Sequence, residues 1–259
     1  MKIAISIIFC IFLLSHNSLA QTSPSSQTIR ITTGEWPPYH SQEREQHNIG
    51  NQIVTKAFAL VGIEVKYGFF GWKRAYDQAK SGRWDGSSAW RYIQERENDF
   101  YYSDSIYEGN MVFFHLKNFP FDWESVSDLK RIRIGATRPY SYGEAFDAAA
   151  KARQIKVQWT NSDKLNFKKL LKGKIQLFPN QKNVGYYQLK QLFIPKVVQQ
   201  ITHHPRAITK YPLYLILSKK NPDNQYLIEL FNRGLRQLQA TREIEELYKD
   251  LRENQQKEN

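Results

Sequence analysis

What most constrains this chain is an alternation of strand-like and helix-like segments, punctuated by glycines, that starts twice along its length. Thr28-Ile29-Arg30-Ile31-Thr32 alternates with period two, as a half-buried strand does. It runs into Gly34-Glu35-Trp36-Pro37-Pro38-Tyr39, where two prolines remove ladder donors and force a loop. Ile53, Val54, Ala57, Phe58, Leu60 and Val61 then recur at helical spacing, with Gly62 placed to end the helix. Ile63, Val65 and Tyr67 alternate as a second strand. Trp72, Ala75, Tyr76 and Ala79 mark a second helix closed by Ser81-Gly82, and Arg83 to Ser88 fits a short third strand. Strand, helix, strand, helix, strand at this spacing predicts a parallel sheet with crossover helices.

The pattern begins again at Ile132 and Ile134, a strand leading into Thr137-Arg138-Pro139-Tyr140. Ser141-Tyr142-Gly143-Glu144 has the spacing of a capping box and opens a helix to about Ala152. Val157 to Trp159 reads as a strand, Asn161-Ser162-Asp163 as a helix start, Leu165 to Lys172 as a helix stopped by Gly173, Ile175 to Phe178 as a strand, and Val184 to Leu192 as a helix. Two α/β units therefore lie in tandem, joined near Phe113 to Asn118. Tyr211 to Ser218 reads as an apolar strand, and two helices follow, Gln225 to Leu238 and Thr241 to Leu251. Ligands of open α/β sheets sit beyond the carboxyl ends of the strands. Here those ends carry Trp36, the loop Ser87–Arg91 and the loop Thr137–Ser141.

Ahead of this pattern stands an address. Lys2 supplies a positive start, Ile3 to Leu14 is an unbroken apolar run, and Ser18-Leu19-Ala20 presents small residues for cleavage after Ala20. The run is short for about 30 Å of hydrocarbon, which favours a cleaved signal over an anchor. Cys10, the only cysteine, lies inside it, so the exported chain is expected to have neither a disulfide nor a cysteine zinc site. Of 259 residues, 41% are hydrophobic and 14% aromatic, enough for a real core. Lys and Arg number 37 against 25 Asp and Glu, a net +12 that admits an anionic partner.

Catalytic signatures are absent: no Gly-x-Ser-x-Gly, no His-Glu-x-x-His and no phosphate loop occurs. His203 and His204 are adjacent, so on a strand they face opposite ways and share a metal poorly. His40 and His47 flank a loop and are expected to be solvated. Lys164, Lys168, Lys169, Lys172 and Lys174 read as a solvated helix face, and no nucleic-acid partner is expected of an exported chain. The stronger signal runs from Trp84 to Arg96 and on through Asp99-Phe100-Tyr101-Tyr102-Ser103. Arg91 and Arg96 could offer a carboxylate a forked donor pair, or Arg96 could form a surface ion pair with Glu95 or Glu97. Trp36 and Tyr39, held by the prolines between them, suit either a stacking wall or core plugs.

Taken in order, several stretches resemble the family 3 periplasmic solute-binding proteins that serve polar amino-acid ABC importers. They are the strand into Gly34-Glu35-Trp36-Pro37-Pro38-Tyr39, then Gly82-Arg83-Trp84-Asp85-Gly86, Glu95-Arg96 with Phe100, Ser103 to Tyr107, Ile134-Gly135, and Leu170-Leu171 before Gly173. The chain closely resembles a subgroup with Trp-Pro-Pro-Tyr and Tyr-Ser-Tyr-Gly motifs. The resemblance implies an α/β, two-lobed periplasmic-binding-protein fold of type II, each lobe a mostly parallel sheet with flanking helices about a hinge. It implies a signal peptide at 1–20, a flexible leader at 21–27, one lobe from 28–114 and 207–252, a second from 115–206, and a polar tail at 253–259.

In the implied site, Trp36 stacks over the ligand with Tyr39 and Trp72 as further aromatic walls, and Arg96 clamps a carboxylate. Ser88, Ala89 and Arg91 complete the first-lobe side, while Arg138, Tyr140 and Ser141 belong to a loop offering backbone N–H groups from the second lobe. The family's amine-binding carboxylate falls at the neutral Gln181, and its usual strand aspartate is Gln176. With Arg91 added, this favours an acidic or organic-anion ligand over an ordinary α-amino acid, although Glu35 could still serve an amine. The expected protein is a periplasmic monomer without cofactor or metal, and not an enzyme. It would close on a small solute and present it to a membrane permease. The alternatives are a sensing module that signals to a membrane receptor and a lyase on the same fold. The lyase needs a positioned acid or base, for which Glu35 and Glu144 are the nearby carboxylates and Glu144 reads better as a cap.

Overall fold

A computed structural model describes residues 27–43, 48–138 and 140–249. The signal peptide, residues 21–26 of the leader, His47, Leu251 and the polar tail lie outside the described residues. Gln27, expected in the leader, is instead the first residue of β1 (Gln27–Thr33), paired with Ile63.

The opening unit forms as its periodicity predicts. Ile29 and Ile31 turn inward from β1, which pairs in parallel with β2 (Ile63–Phe69) on one side and β3 (Gly86–Trp90) on the other. Helix α1 (Ile49–Ala59) buries Ile53, Val54, Ala57 and Phe58 and gives way to Gly62 at a φ of 77°, where a side chain would be strained. Helix α2 (Trp72–Lys80) buries Ala75 and Ala79. The third strand starts later than expected and runs to Trp90; just ahead of it, Arg30 donates to the Asp85 carboxylate through its backbone N–H and guanidinium.

The sheet does not stay parallel. Its order is β2-β1-β3-β9-β4-β7, with β9 (Thr209–Ser218) antiparallel to both β3 and β4 (Phe100–Leu116) and with β7 (Phe178–Gln181) beyond β4. β4 is 17 residues long and does the work of two strands. From Phe100 to Met111 it pairs with β9; from Met111 to Leu116 it pairs with β7 (Phe178–Gln181) and β8 (Ile201–His203). Phe113 to Leu116, expected as a joint between units, therefore lies within a strand that carries the backbone from one lobe into the other. β4 and β9 together form the crossing.

The second lobe holds a two-stranded parallel sheet, β5 (Arg133–Thr137) and β6 (Lys156–Thr160), tied to the main sheet by a bridge from Ile134 to Leu177. Ile175 to Leu177, expected as strand, contributes only that bridge, and the strand begins at Phe178. Around these pack α3 (Glu144–Lys151), α4 (Asp163–Leu171), α5 (Lys182–Leu192) and the single turn α6 (Pro195–Val198). The expected capping box at Ser141 does not form: Gly143 is the N-cap, and the Ser141 hydroxyl donates to Asp147 instead. The lysines of α4 are largely exposed, as a solvated face.

Helix α7 (Asn224–Gln239) returns to the first lobe and packs on α1, with the Phe58 and Phe231 rings 4.9 Å apart. Burying a phenylalanine of this kind contributes about 1.5–3 kcal/mol. The approach is close enough that a Cβ on Gly234 would sit 2.0 Å from the Ala57 carbonyl oxygen, so only glycine fits. Residues 243–249 form a further helical segment. Among the described residues no helix is long and apolar enough to cross a membrane.

Candidate functional site

At the carboxyl ends of the strands lies a cavity of about 200 Å³ that takes residues from both lobes. Trp36 and Arg91 come from the first lobe, Met111 and Tyr211 from the crossing strands β4 and β9. Tyr140, Ser141, Asp163, Asn180 and Gln181 are among those from the second. The structure thus gathers five of the expected site residues, Trp36, Arg91, Tyr140, Ser141 and Gln181, around one space.

Trp36 is placed by a tight turn in which its N–H donates to the His40 carbonyl at 2.7 Å and its carbonyl receives Tyr39 N–H at 2.9 Å. Its ring stacks on Tyr39 at 5.1 Å, and Tyr39 stacks on Tyr107 at 4.7 Å with the planes 7° apart. Tyr39 is only 1% exposed and does not line this cavity. Its hydroxyl receives Gln181 Nε2 and Asn183 Nδ2, each at 2.8 Å, and so joins the lobes; burial pushes its pKa up to about 12. Gln181 is correspondingly committed. Its Oε1 accepts Val184 N–H at 2.8 Å as the N-cap of α5, so each end of the amide already has a partner.

His40, expected in solvent, is fully buried: Nδ1 meets Asn51 Oδ1 and Nε2 meets the Tyr107 hydroxyl, both at 2.6 Å. Burial lowers its pKa to about 4, which keeps it neutral. His203 contacts the Tyr186 hydroxyl and His204 contacts Asp122.

Of the remaining first-lobe candidates, Trp72, Ser88, Ala89 and Arg96 do not line the cavity. Trp72 lies against Gly34 and meets Trp90 edge-on at 5.7 Å. Ser88 is buried with its hydroxyl unpartnered, and Ala89 adopts a φ of 72° at a break in the β3–β9 register. Arg96 does not reach the cavity. Its guanidinium lies 4.8 Å from the Trp90 ring and 5.3 Å from Tyr76, and Nη1 donates to the Arg91 carbonyl at 3.0 Å. Neither expected ion pair of Arg96, with Glu95 or with Glu97, is among the salt bridges of the described residues. Arg91 rests against the face of Tyr211, 3.6 Å from the ring centre. Arg138 points to the surface over Trp159, 6.0 Å away.

The backbone donors expected before α3 are partly satisfied already: Tyr142 N–H and the Ser141 hydroxyl both donate to the Asp147 carboxylate, at 3.1 and 2.5 Å. The residue that sequence reasoning missed is Asp163. It opens α4, where its only sequence signal was that of a helix start. In the fold its Oδ1 accepts the Thr137 hydroxyl at 2.5 Å and its Oδ2 accepts Gln188 Nε2 at 2.9 Å. Asn180 holds Gln188 in turn at 2.9 Å. This chain fixes a carboxylate on the cavity wall, so the space has Arg91 on one side and Asp163 on the other. Neither Glu35, which accepts Gln42 N–H, nor Glu144 lines it.

Two lobes, two crossing strands and a cavity between them agree with the sequence comparison, in which residues 29–251 match the bacterial extracellular solute-binding proteins, family 3. The chain belongs to that family. None of the curated proteins matches it in sequence. Among solved structures it is similar to substrate-binding domain 2 of Lactococcus lactis GlnP in an open conformation. Identity there is 21%, the match covers 88% of this chain and 97% of that one, and the TM-score is 0.69. A histidine kinase sensor domain with similarity to periplasmic binding proteins matches at 14% identity, covering 87% and 96%, with a TM-score of 0.65. The ancestral amino-acid-binding protein AncCDT-1, a precursor of cyclohexadienyl dehydratase, matches at 16%, covering 86% and 94%, with a TM-score of 0.60. At these identities the likeness shows the type II periplasmic-binding fold, and this family 3 chain shares it chiefly with binding proteins.

Proposed function

We propose that the protein captures a small amino-acid-like or organic-anion solute in the cavity between its lobes and delivers it to an ABC-type importer. The carrying observation is the make-up of that cavity, to which both lobes and both crossing strands contribute. A solute there gains its full set of contacts only when the lobes come together, so binding favours the closed form. In this reading residues 28–114 and 207–252 form one lobe and 115–206 the other. Trp36 supplies a ring for the solute to stack on, while Tyr140 and Ser141 approach from the opposite lobe. Residues 1–20 direct the chain to the periplasm and are removed, and the protein works as a monomer beside a permease.

A thermal-shift screen tests this directly, with amino acids, dicarboxylates, sugar acids and small peptides as the panel. A solute at 100 times its dissociation constant adds about 2.7 kcal/mol, which raises the melting midpoint visibly. A panel that leaves the midpoint unmoved overturns the reading. The likeness to a sensor domain favours a second output, signalling to a membrane receptor. Crosslinking in native membranes separates the two: recovery of a permease supports import, and recovery of a receptor kinase supports sensing.

A further inference from the structure

We infer that Arg91 holds the anionic group of the solute, and that Arg96 is a positioning residue acting through the Arg91 backbone. The inference rests on the binding reading above and names the group in that site that selects for negative charge.

Arg96 is already engaged. Its guanidinium lies against Trp90 and Tyr76 and donates to the Arg91 carbonyl at 3.0 Å, and it contributes nothing to the cavity lining. Of the second lobe's donors before α3, the Ser141 hydroxyl and Tyr142 N–H are engaged by Asp147. Arg91 differs from both. It lines the cavity, and among the described residues it forms no ion pair with a carboxylate. Its contact is the face of Tyr211, 3.6 Å from the ring centre, which orients the guanidinium without neutralising it. A cation in a partly closed cavity with no carboxylate paired to it is incompletely solvated until an anion arrives. A carboxylate meets its forked donors with charge-assisted hydrogen bonds.

The backbone explains how Arg91 comes to face this way. The β3–β9 register breaks between Ser87 and Trp90, and Ala89 stands at a φ of 72°. An irregularity of this kind re-aims the side chains that follow it. The Arg96 bond to the Arg91 carbonyl then anchors the segment just past the break. Asp163 on the facing wall repels an anion from the second-lobe side and so reinforces the same orientation.

The test compares wild type with Arg91→Gln, Arg96→Gln and Arg96→Lys by calorimetric titration. The probes are the proteinogenic amino acids, succinate and 2-oxoglutarate, each beside its methyl ester. Wild type is expected to prefer acid over ester by about tenfold or more, the scale of one charge-assisted contact. Arg91→Gln should bring that ratio near one. Both Arg96 variants should keep the preference even where overall affinity falls, because the charge at the cavity is unchanged. If Arg91→Gln does not fold, Arg91→Lys serves: it keeps the charge but loses the fork, and the ratio should fall several-fold. A full acid preference in folded Arg91→Gln, or its loss in Arg96→Lys, overturns the inference. Equal binding of acids and esters by wild type also overturns it while leaving solute binding intact. A wild type that binds no probe overturns both readings.

Discussion

On the first-lobe side of the cavity Trp36 stacks on Tyr39 and Tyr39 on Tyr107. On the second-lobe side Thr137, Asp163, Gln188 and Asn180 form a chain of hydrogen bonds. One wall is held by ring packing, which is non-directional and insensitive to charge. The other depends on donors and acceptors matched within a few tenths of an ångström. The first suits a surface on which a solute lands, because its shape barely depends on what is bound. The second suits discrimination, because each polar partner offered or withheld by the solute changes a network already fixed. His40 departs from this division, as a neutral imidazole buried beneath the aromatic wall.

Acid offers the largest break in that comparison. The folded pKa of His40, about 4, lies below its ordinary value of 6.5, so between those pH values the unfolded chain holds the extra proton. Stability should be full above pH 6.5 and decline as pH falls towards 4, by on the order of 3 kcal/mol from this group. Half-buried His203 is also lowered to about 4, by burial and then by Lys182, and adds to the loss in the same direction. Urea unfolding at pH 7 and 4.5, repeated with His40→Asn, measures it. A wild-type stability that stays flat over that range contradicts a neutral buried imidazole.

Next in size is Trp36→Ala, which should weaken solute binding by roughly 1–3 kcal/mol. Titration against the solute identified in the screen reads the effect, and an unaltered affinity removes Trp36 from the site. On the other wall, Asp163→Asn replaces two charge-assisted contacts by neutral ones and sets an amide N–H against a donor. A stability loss of about 1–2 kcal/mol is expected in denaturant. No loss would mean that Thr137 and Gln188 find other acceptors and that the polar wall is not a connected network.

The smallest effect sits where the walls meet. Tyr39→Phe keeps the ring stack but removes the hydroxyl that receives Gln181 and Asn183. The expected cost is about 1 kcal/mol, one modest hydrogen-bond contribution. An equal loss from Gln181→Ala, not added to that of Tyr39→Phe in the double variant, would show that the two residues act as one tie between the lobes. Additive losses would show that they act separately.

Elements whose partners are near in sequence were legible in advance. The spacing of Ile53, Val54, Ala57 and Phe58 announces α1, and alternation in Ile29 and Ile31 announces β1, because each depends on one buried face. The crossing strand β4 was not legible as a strand. Its run Phe100 to Leu116 is buried on different faces along its length as it changes partners at Met111, so no single alternation marks it. The site divides in the same way. Trp36 and Arg91 were legible from loops at strand ends, whereas Asp163 carried only the signature of a helix start. Arg96 and Gln181 were read as ligand contacts, and one sequence cannot show what else a side chain will meet. In the fold they meet Trp90 and the Arg91 carbonyl, and Tyr39 and Val184 N–H.

By itself the sequence determined the family, the alternation of strands and helices in each lobe, and the aromatic and basic character of the loops at the strand ends. These rest on short-range periodicity and on residue chemistry, which a linear chain states directly. Only the tertiary structure decided which arginine lines the cavity without a carboxylate partner, which carboxylate reaches the cavity and which side chains tie the lobes together. Each of those outcomes depends on partners far apart in the chain: Arg91 against Tyr211, Asp163 against Gln188, Tyr39 against Gln181. A polar side chain is free to bind a solute only if folding leaves it without an internal partner, and that condition is set by three-dimensional proximity.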